Sequence, residues 1–203
     1  MSTTNRGSWR QYAVAIRAMI VLTIVLGVMY PLAITVLGQV ALPSQAHGSL
    51  IERNGQVVGS SLIGQSFTDP DGTALPQWFQ SRPSAAGKGY EAGASGGSNY
   101  GPENPDLLKA IAQRKKAVSQ LDRTDPGRIP VDALTASASG LDPHISPAYA
   151  LEQVRRVARA HGLDEATVRT LVESRIQGRD LGYLGESTVN VLELNLALAE
   201  LDH

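Results

Sequence analysis

Between Ala18 and Ile51 the chain carries no Asp, Glu, Lys or Arg, and this constrains its fold more than any other feature. The apolar centre, Ala18–Leu37, reads AMIVLTIVLGVMYPLAITVL, with eleven Leu, Ile or Val among 20 residues. As a helix it would extend about 30 Å, the thickness of a bilayer's hydrocarbon core. Each Leu, Ile or Val favours insertion by roughly 0.3–0.6 kcal/mol, several kcal/mol in sum. A soluble helix of this composition would need apolar neighbours on every side. Pro31 removes one backbone hydrogen bond, which membrane helices tolerate. Thr23 and Gly27 form a small-x-x-x-small pair, a pattern that admits a neighbouring membrane helix. The sequence therefore predicts a transmembrane helix over residues 13–38, marked by Ala18, Thr23, Gly27, Pro31 and Leu37.

Arg6, Arg10 and Arg17 precede the run, and no acidic residue precedes Glu52. Positive charge is retained on the cytoplasmic side, so residues 1–12 are expected as a cytoplasmic tail and 39–203 as an extracytoplasmic domain. The competing reading is a signal peptide cleaved near Ser44-Gln45-Ala46, releasing a free exported binding module. The apolar run exceeds the usual 7–15 residues of a signal core, which favours a retained anchor.

Composition removes several functions. With 18 basic and 19 acidic residues the net charge is -1, too little positive field for a nucleic-acid binder. The chain has no Cys, so thiol catalysis, Cys-ligated zinc and iron–sulfur clusters are excluded. Aromatics are 5%, which argues against a base-stacking or carbohydrate groove.

The pattern after the anchor predicts one α/β (α+β) domain, the fold class being a single N-terminal transmembrane helix followed by that domain. Asn54-Gly55 between two short apolar runs signals a hairpin. Gly59–Pro105 is rich in Gly and Ser, with short strands expected around Leu62–Phe67 and Trp78-Phe79. Asn104-Pro105 starts a helix reaching about Leu121. Asp122–Pro130 reads as a linker, Val131–Thr135 as a short strand or turn, and Ser137–Ser146 as a tight loop. Ser146-Pro147 opens a helix ending at His161-Gly162, and Asp164 caps another. Val189–Leu201 reads as strand then helix.

Chemically suggestive motifs are sparse. Gly93-Ala94-Ser95-Gly96-Gly97 matches G-x-S-x-G, but a nucleophile elbow needs a strand before the Ser and a helix after it, and neither context is present. Asp142, His144 and Ser146 are three triad residue types within five positions, whereas triads converge from distant segments. They define an alternative all the same: an anchored serine hydrolase using Ser95 or Ser146 with His144 and Asp142. His47, His144, His161 and His203 show no helical metal spacing, and Asp69 and Asp71 fall short of a calcium loop. Arg114-Lys115-Lys116 and Arg155, Arg156, Arg159 read as solvated helix faces. There is no G-x-x-x-x-G-K-[ST] and no D-K-T-G, so the chain carries no phosphoryl-transfer chemistry of its own and binds no cofactor through its own motifs.

Six ordered blocks behind the anchor are specific together. They are Leu62–Phe67, Trp78–Ala85, Ala94–Asn99, Gly101–Pro105, Ser139–Pro147 and Val189–Asn195. As a set they resemble the C subunit of the bacterial Kdp-type potassium-transporting ATPase. The resemblance implies a non-catalytic subunit in the bacterial plasma membrane, part of an ATP-driven, high-affinity potassium uptake complex. Its implied partners are membrane lipid, a potassium-channel-like subunit and an ATP-hydrolysing P-type subunit. It also implies a catalytic chaperone that raises the ATP affinity of the hydrolysing subunit, with ATP present at the level of the complex. Ala138 and Gln80-Ser81 depart from the family pattern, which often has Gly and His-Gly there. Interface or loop-fixing roles are expected of Arg82, Ser95, Asn99, Asp142, His144 and Ser146.

Overall fold

The N-terminal helix is continuous but not uniform. In the computed structural model, which describes residues 5–201, α1 (Asn5–Ile24) passes into a π-helical segment (Val25–Met29) and on into α2 (Tyr30–Ala41). Pro31 has no N–H, and in an α-helix its ring would meet the carbonyl of Gly27 four residues earlier. The wider turn just before it resolves that conflict, with the Tyr30 N–H reaching the Val25 carbonyl five residues back. The Thr35 hydroxyl then donates to the Pro31 carbonyl at 2.8 Å. Trp9–Ala41 spans 33 residues and is, among the described residues, the one helix long and apolar enough to cross a membrane. A one-turn helix, α3 (Pro43–Ala46), follows. Residues 1–4 of the expected tail and His203 lie outside the described residues.

The chain divides into two compact units, residues 1–50 and 51–203. Four helices organise the second: α4 (Pro105–Asp122), α5 (Pro147–His161), α6 (Glu165–Ser174) and α7 (Val191–Leu201). Their starts follow the side-chain capping rule. Asn104 accepts the Asp106 N–H at 2.8 Å, Ser146 that of Tyr149 at 3.1 Å, and Asp164 that of Ala166 at 3.1 Å. Gly162 ends α5 at φ 68°. On α5, Ala150, Val154, Val157 and Ala158 form one buried stripe at helical spacing. They share the core with Val168 and Val172 of α6, Leu194 and Leu198 of α7, and Phe79.

Sheet is minor. β1 (Leu50–Arg53) pairs with β2 (Gln56–Ser60) across the Asn54-Gly55 turn, where φ is 53° and 75°. β3 (His144–Ile145) runs antiparallel to β4 (Val189–Asn190), with His144 opposite Asn190. The domain is thus helices plus two small two-stranded sheets.

Two expectations need correcting. The apolar pieces of Gly59–Pro105 form no named strand beyond the end of β2, only isolated bridges such as Ser60–Ile63 and Thr68–Ala74. Side chains replace the missing ladder. Asn195 accepts the Phe79 N–H at 2.9 Å and donates to the Phe79 carbonyl at 3.0 Å. Gln153 does the same for Gln80, at 2.7 and 3.2 Å. The Gln80 amide in turn donates to the carbonyls of Phe67, Leu75 and Trp78. Each amide mimics a strand edge, satisfying buried backbone groups that would otherwise be costly.

Second, Arg156 is no solvated face. Its side chain is 6% exposed and binds the buried Asp122 carboxylate, the Pro76 and Trp78 carbonyls and the Gln153 amide oxygen. Val131–Ala133 takes the turn of the two alternatives, as a 3-10 turn, and the Asp122–Pro130 linker contains another at Pro126–Arg128, capped by Asp125.

Candidate functional site

Three loops, two of them neighbours in sequence and the third distant, meet around Asp142. The first carries Arg82, Ser84 and Tyr90, the second Ser95–Gly97, the third Ala138–His144. Arg82 Nη1 lies 3.1 Å from Asp142 Oδ2, with both side chains about a quarter exposed. The other carboxylate oxygen accepts the His144 backbone N–H at 3.0 Å and lies 3.5 Å from His144 Nδ1. Burial opposes ionisation of Asp142, but the His144 ring and N–H and the Arg82 charge outweigh it and hold the carboxyl below the ordinary aspartate value.

The loops are fastened through main-chain groups. The Ser84 hydroxyl donates to the Gly140 carbonyl at 2.6 Å and accepts N–H bonds from Ala86 and Tyr90. The Tyr90 hydroxyl donates to the Arg82 carbonyl at 2.9 Å, and burial pushes its pKa up to about 12. The Gly96 N–H and the Ser95 hydroxyl both donate to the Ser139 carbonyl, at 2.8 and 2.9 Å. The Gly64 N–H reaches the Leu141 carbonyl at 2.8 Å. Close approach explains the glycines: at Gly140 (φ 68°), a Cβ would fall 2.7 Å from both Ala86 N and Gly96 O.

The six expected residues separate. Arg82, Asp142 and His144 come together as one polar cluster. Ser95 joins it only through the backbone of Ser139. Ser146 belongs elsewhere: its hydroxyl caps α5 and donates to Asp132 Oδ1 at 2.9 Å, while its N–H meets Asp132 Oδ2 at 2.7 Å. Asn99 is exposed at φ 52°, a left-handed turn that Asn accepts readily. Among the described residues no hydrogen bond joins Ser95 or Ser146 to His144, so the hydrolase alternative lacks its nucleophile–base contact. Sequence reasoning missed Tyr90, whose one signal was a bulky residue directly after the closely spaced Gly87 and Gly89, and which the structure places at φ 55°. It also missed the clamp residues Gln153 and Asn195, which carried no signal.

Arg82 borders two concavities. One, about 600 Å³, is an open groove lined by Leu62, Ile63, Ser139, Asp142 and Pro143. The other, about 680 Å³, is lined by Phe67, Ser84, Tyr90, Arg114, Val118 and Tyr149. Its two guanidinium groups are already engaged, Arg82 by Asp142 and Arg114 by the Leu134 carbonyl at 2.9 Å. Each guanidinium keeps further N–H donors, and the buried Arg82 Nε has no hydrogen-bond partner. Among the described residues no group of three or more His, Asp or Glu is placed to hold a metal ion.

Comparison with known proteins is consistent across almost the whole chain. A family model described as KdpC, the K+-transporting ATPase c chain, matches residues 12–200. The chain is 53% identical over 198 residues to a potassium-transporting ATPase KdpC subunit from Kineococcus radiotolerans, covering 98% of this chain and 97% of that one. It is 52% identical over 185 residues to the KdpC subunit of Methylococcus capsulatus, covering 91% and 94%. The KdpC subunit of Polaromonas naphthalenivorans is 55% identical over 179 residues, covering 88% of each chain.

Proposed function

Since the chain belongs to the KdpC family of K+-transporting ATPase c chains, we propose that it works as the membrane-anchored, non-catalytic subunit of such a complex in a bacterial plasma membrane. It holds the assembly together rather than moving potassium or hydrolysing ATP. The partners in this reading are a potassium-channel-like subunit and an ATP-hydrolysing P-type subunit. The observation that carries it is the match over residues 12–200, which takes in most of the apolar helix Trp9–Ala41 as well as the folded domain behind it. The domain's polar groups are consistent with the role: Arg82 pairs with Asp142, the Ser95 hydroxyl with the Ser139 carbonyl, and the Ser146 hydroxyl with Asp132.

Any effect on ATP affinity then passes through subunit contacts. Positive charge at Arg6, Arg10 and Arg17 favours a cytoplasmic N-terminus, with the folded domain on the other face of the membrane, away from cytoplasmic ATP. Expressing the transporter with and without this chain tests the role. We expect loss of potassium-stimulated ATPase activity, or of a stable complex, in its absence. A complete, fully active complex without it overturns the reading. Protease added to intact spheroplasts tests the orientation, which fails if residues beyond 50 are cut only from the cytoplasmic side.

A further inference from the structure

Between α6 and β4 the chain makes an excursion that the core does not require. Gln177 and Thr188 exchange backbone hydrogen bonds at 2.8 and 3.0 Å, and Asp180 and Leu184 repeat the exchange at 3.0 and 2.9 Å. The Arg179 guanidinium binds the Glu186 carboxylate across the pair. The result is a two-stranded finger exposed from Gln177 to Glu186. It stands clear of its surroundings: a Cβ added at Gly178, Gly182 or Gly185 would meet nothing within 4 Å.

The tip breaks a local rule. The Tyr183 N–H donates to the Asp180 carbonyl at 3.2 Å, and the two residues between them, Leu181 and Gly182, have φ of 51° and 82°. Turns with two positive φ values favour Asn, Asp or Gly at the first of these positions. Here a leucine occupies it and is 81% exposed, beside Tyr183 at 69% and Leu184 at 49%. Neither turn chemistry nor burial accounts for Leu181. A residue that strains its backbone without gaining a contact inside its own fold points to a contact outside it.

We propose that Leu181, Tyr183 and Leu184 form an anchor that inserts into an apolar pocket, rimmed by basic groups, on another protein subunit of the transport complex. The inference rests on the subunit role proposed above. Leu and Tyr on a protrusion held by cross-strand hydrogen bonds have the chemistry of a buried interface anchor, with large apolar area and little side-chain freedom to lose. The charge argues against lipid: Arg179, Asp180 and Glu186 leave the finger one negative charge in excess, whereas tips that enter anionic bilayer surfaces carry Lys and Arg. Asp180 is the group that would meet the basic rim.

A photo-crosslinker at the tip, Tyr183→p-benzoylphenylalanine, in the full complex in native membranes reads the neighbour directly. An adduct with another subunit supports the proposal. An adduct with lipid, an adduct with a second copy of this chain, or no adduct overturns it. Leu181→Asn combined with Tyr183→Ser gives the second readout. Retention of this chain on the tagged complex should fall at least tenfold, while the Leu181→Asn chain alone melts no lower than wild type because the turn is relieved. Undiminished retention of the double variant removes the finger and leaves the subunit role intact. If the wild-type chain is itself not retained, the subunit role is what has failed.

Discussion

Replacing Arg156 by methionine tests the polar clamp that holds the irregular middle of the domain. The guanidinium reaches four acceptors: Asp122 Oδ1, the Pro76 and Trp78 carbonyls, and the Gln153 amide oxygen. Methionine retains much of the stem's apolar packing, so the loss falls mainly on the charge and its hydrogen bonds. The gravest consequence is at Asp122, whose side chain is 1% exposed and whose second oxygen already lacks a protein partner. Breaking one side of a buried pair costs about 3–5 kcal/mol, because the remaining charge is left in a medium that cannot solvate it. Domains of this size lose about 2–4 °C of Tm per kcal/mol, so the expected drop is roughly 6–20 °C. The assay is thermal or urea unfolding of the full chain in detergent, followed by tryptophan fluorescence, since Trp78 sits at the clamp. The compensated variant, Arg156→Met with Asp122→Leu, removes the orphaned charge along with its partner. It should recover about half of the loss, the rest being the freed carbonyls of Pro76 and Trp78. An unchanged Tm in the single variant, or a double variant as unstable as the single, refutes the reasoning.

Two further outcomes follow from the loop cluster and from Glu152. Gly140→Ala combines a left-handed φ of 68° with a Cβ placed 2.7 Å from two backbone atoms, so a loss of about 2–4 kcal/mol is expected in urea titration, and wild-type stability would show that the loops do not meet as described. Glu152 has both carboxyl oxygens shielded; burial first, then the Asp122 charge, raise its pKa from 4.5 to about 7. Between those values the folded state binds the proton more tightly than the unfolded chain, so this residue makes stability fall as pH rises from about 4.5 to 7. Glu152→Gln should flatten that slope in urea midpoints measured across the window, and an unaltered slope disproves the assignment. Asp142 acts in the opposite sense: its lowered pKa adds stability above the unfolded value of 3.8, lost as pH falls through the folded one.

What the sequence disclosed was whatever is encoded locally. Asn104, Ser146 and Asp164 cap helices because a short polar side chain before an amphipathic run has one favourable use there. Asn54-Gly55 makes its hairpin because the turn demands positive φ at both positions. The apolar helix is legible for the same reason, being a property of consecutive residues. The clamps are not local. Gln153 and Arg156 lie on α5 at spacings that suit a wet face as well as a buried one, and nothing in their neighbours says that Gln80 and Pro76 will arrive from more than seventy residues away. The loop cluster was half legible. Its residues stood out as Gly- and Ser-rich blocks, yet Ser146 was grouped with Asp142 and His144 by proximity in the chain, while its hydroxyl is claimed by Asp132 and by the α5 N-terminus.

The same distinction bears on how this domain keeps a defined shape. A stretch as long and irregular as Gly59–Pro105 exposes backbone groups that a sheet would ordinarily pair. Here Asn195, Gln153, Gln80 and Arg156 supply those partners from side chains, and Ser84, Tyr90 and the Ser139 carbonyl do so around Asp142. A side chain already bonded to two main-chain groups is poorly placed to polarise a substrate, because reaction would require breaking the bonds that position it. Exposed apolar area lies at Leu181 and Tyr183 and along the groove edged by Leu62, where apolar groups face water. Polar capacity spent inward and apolar area left outward is the distribution expected of a surface completed by another protein. Substitutions at the Leu181 tip should therefore damage assembly before stability, and those at the clamps stability before assembly. Measuring both quantities for both sets separates a contact surface from the scaffold that presents it.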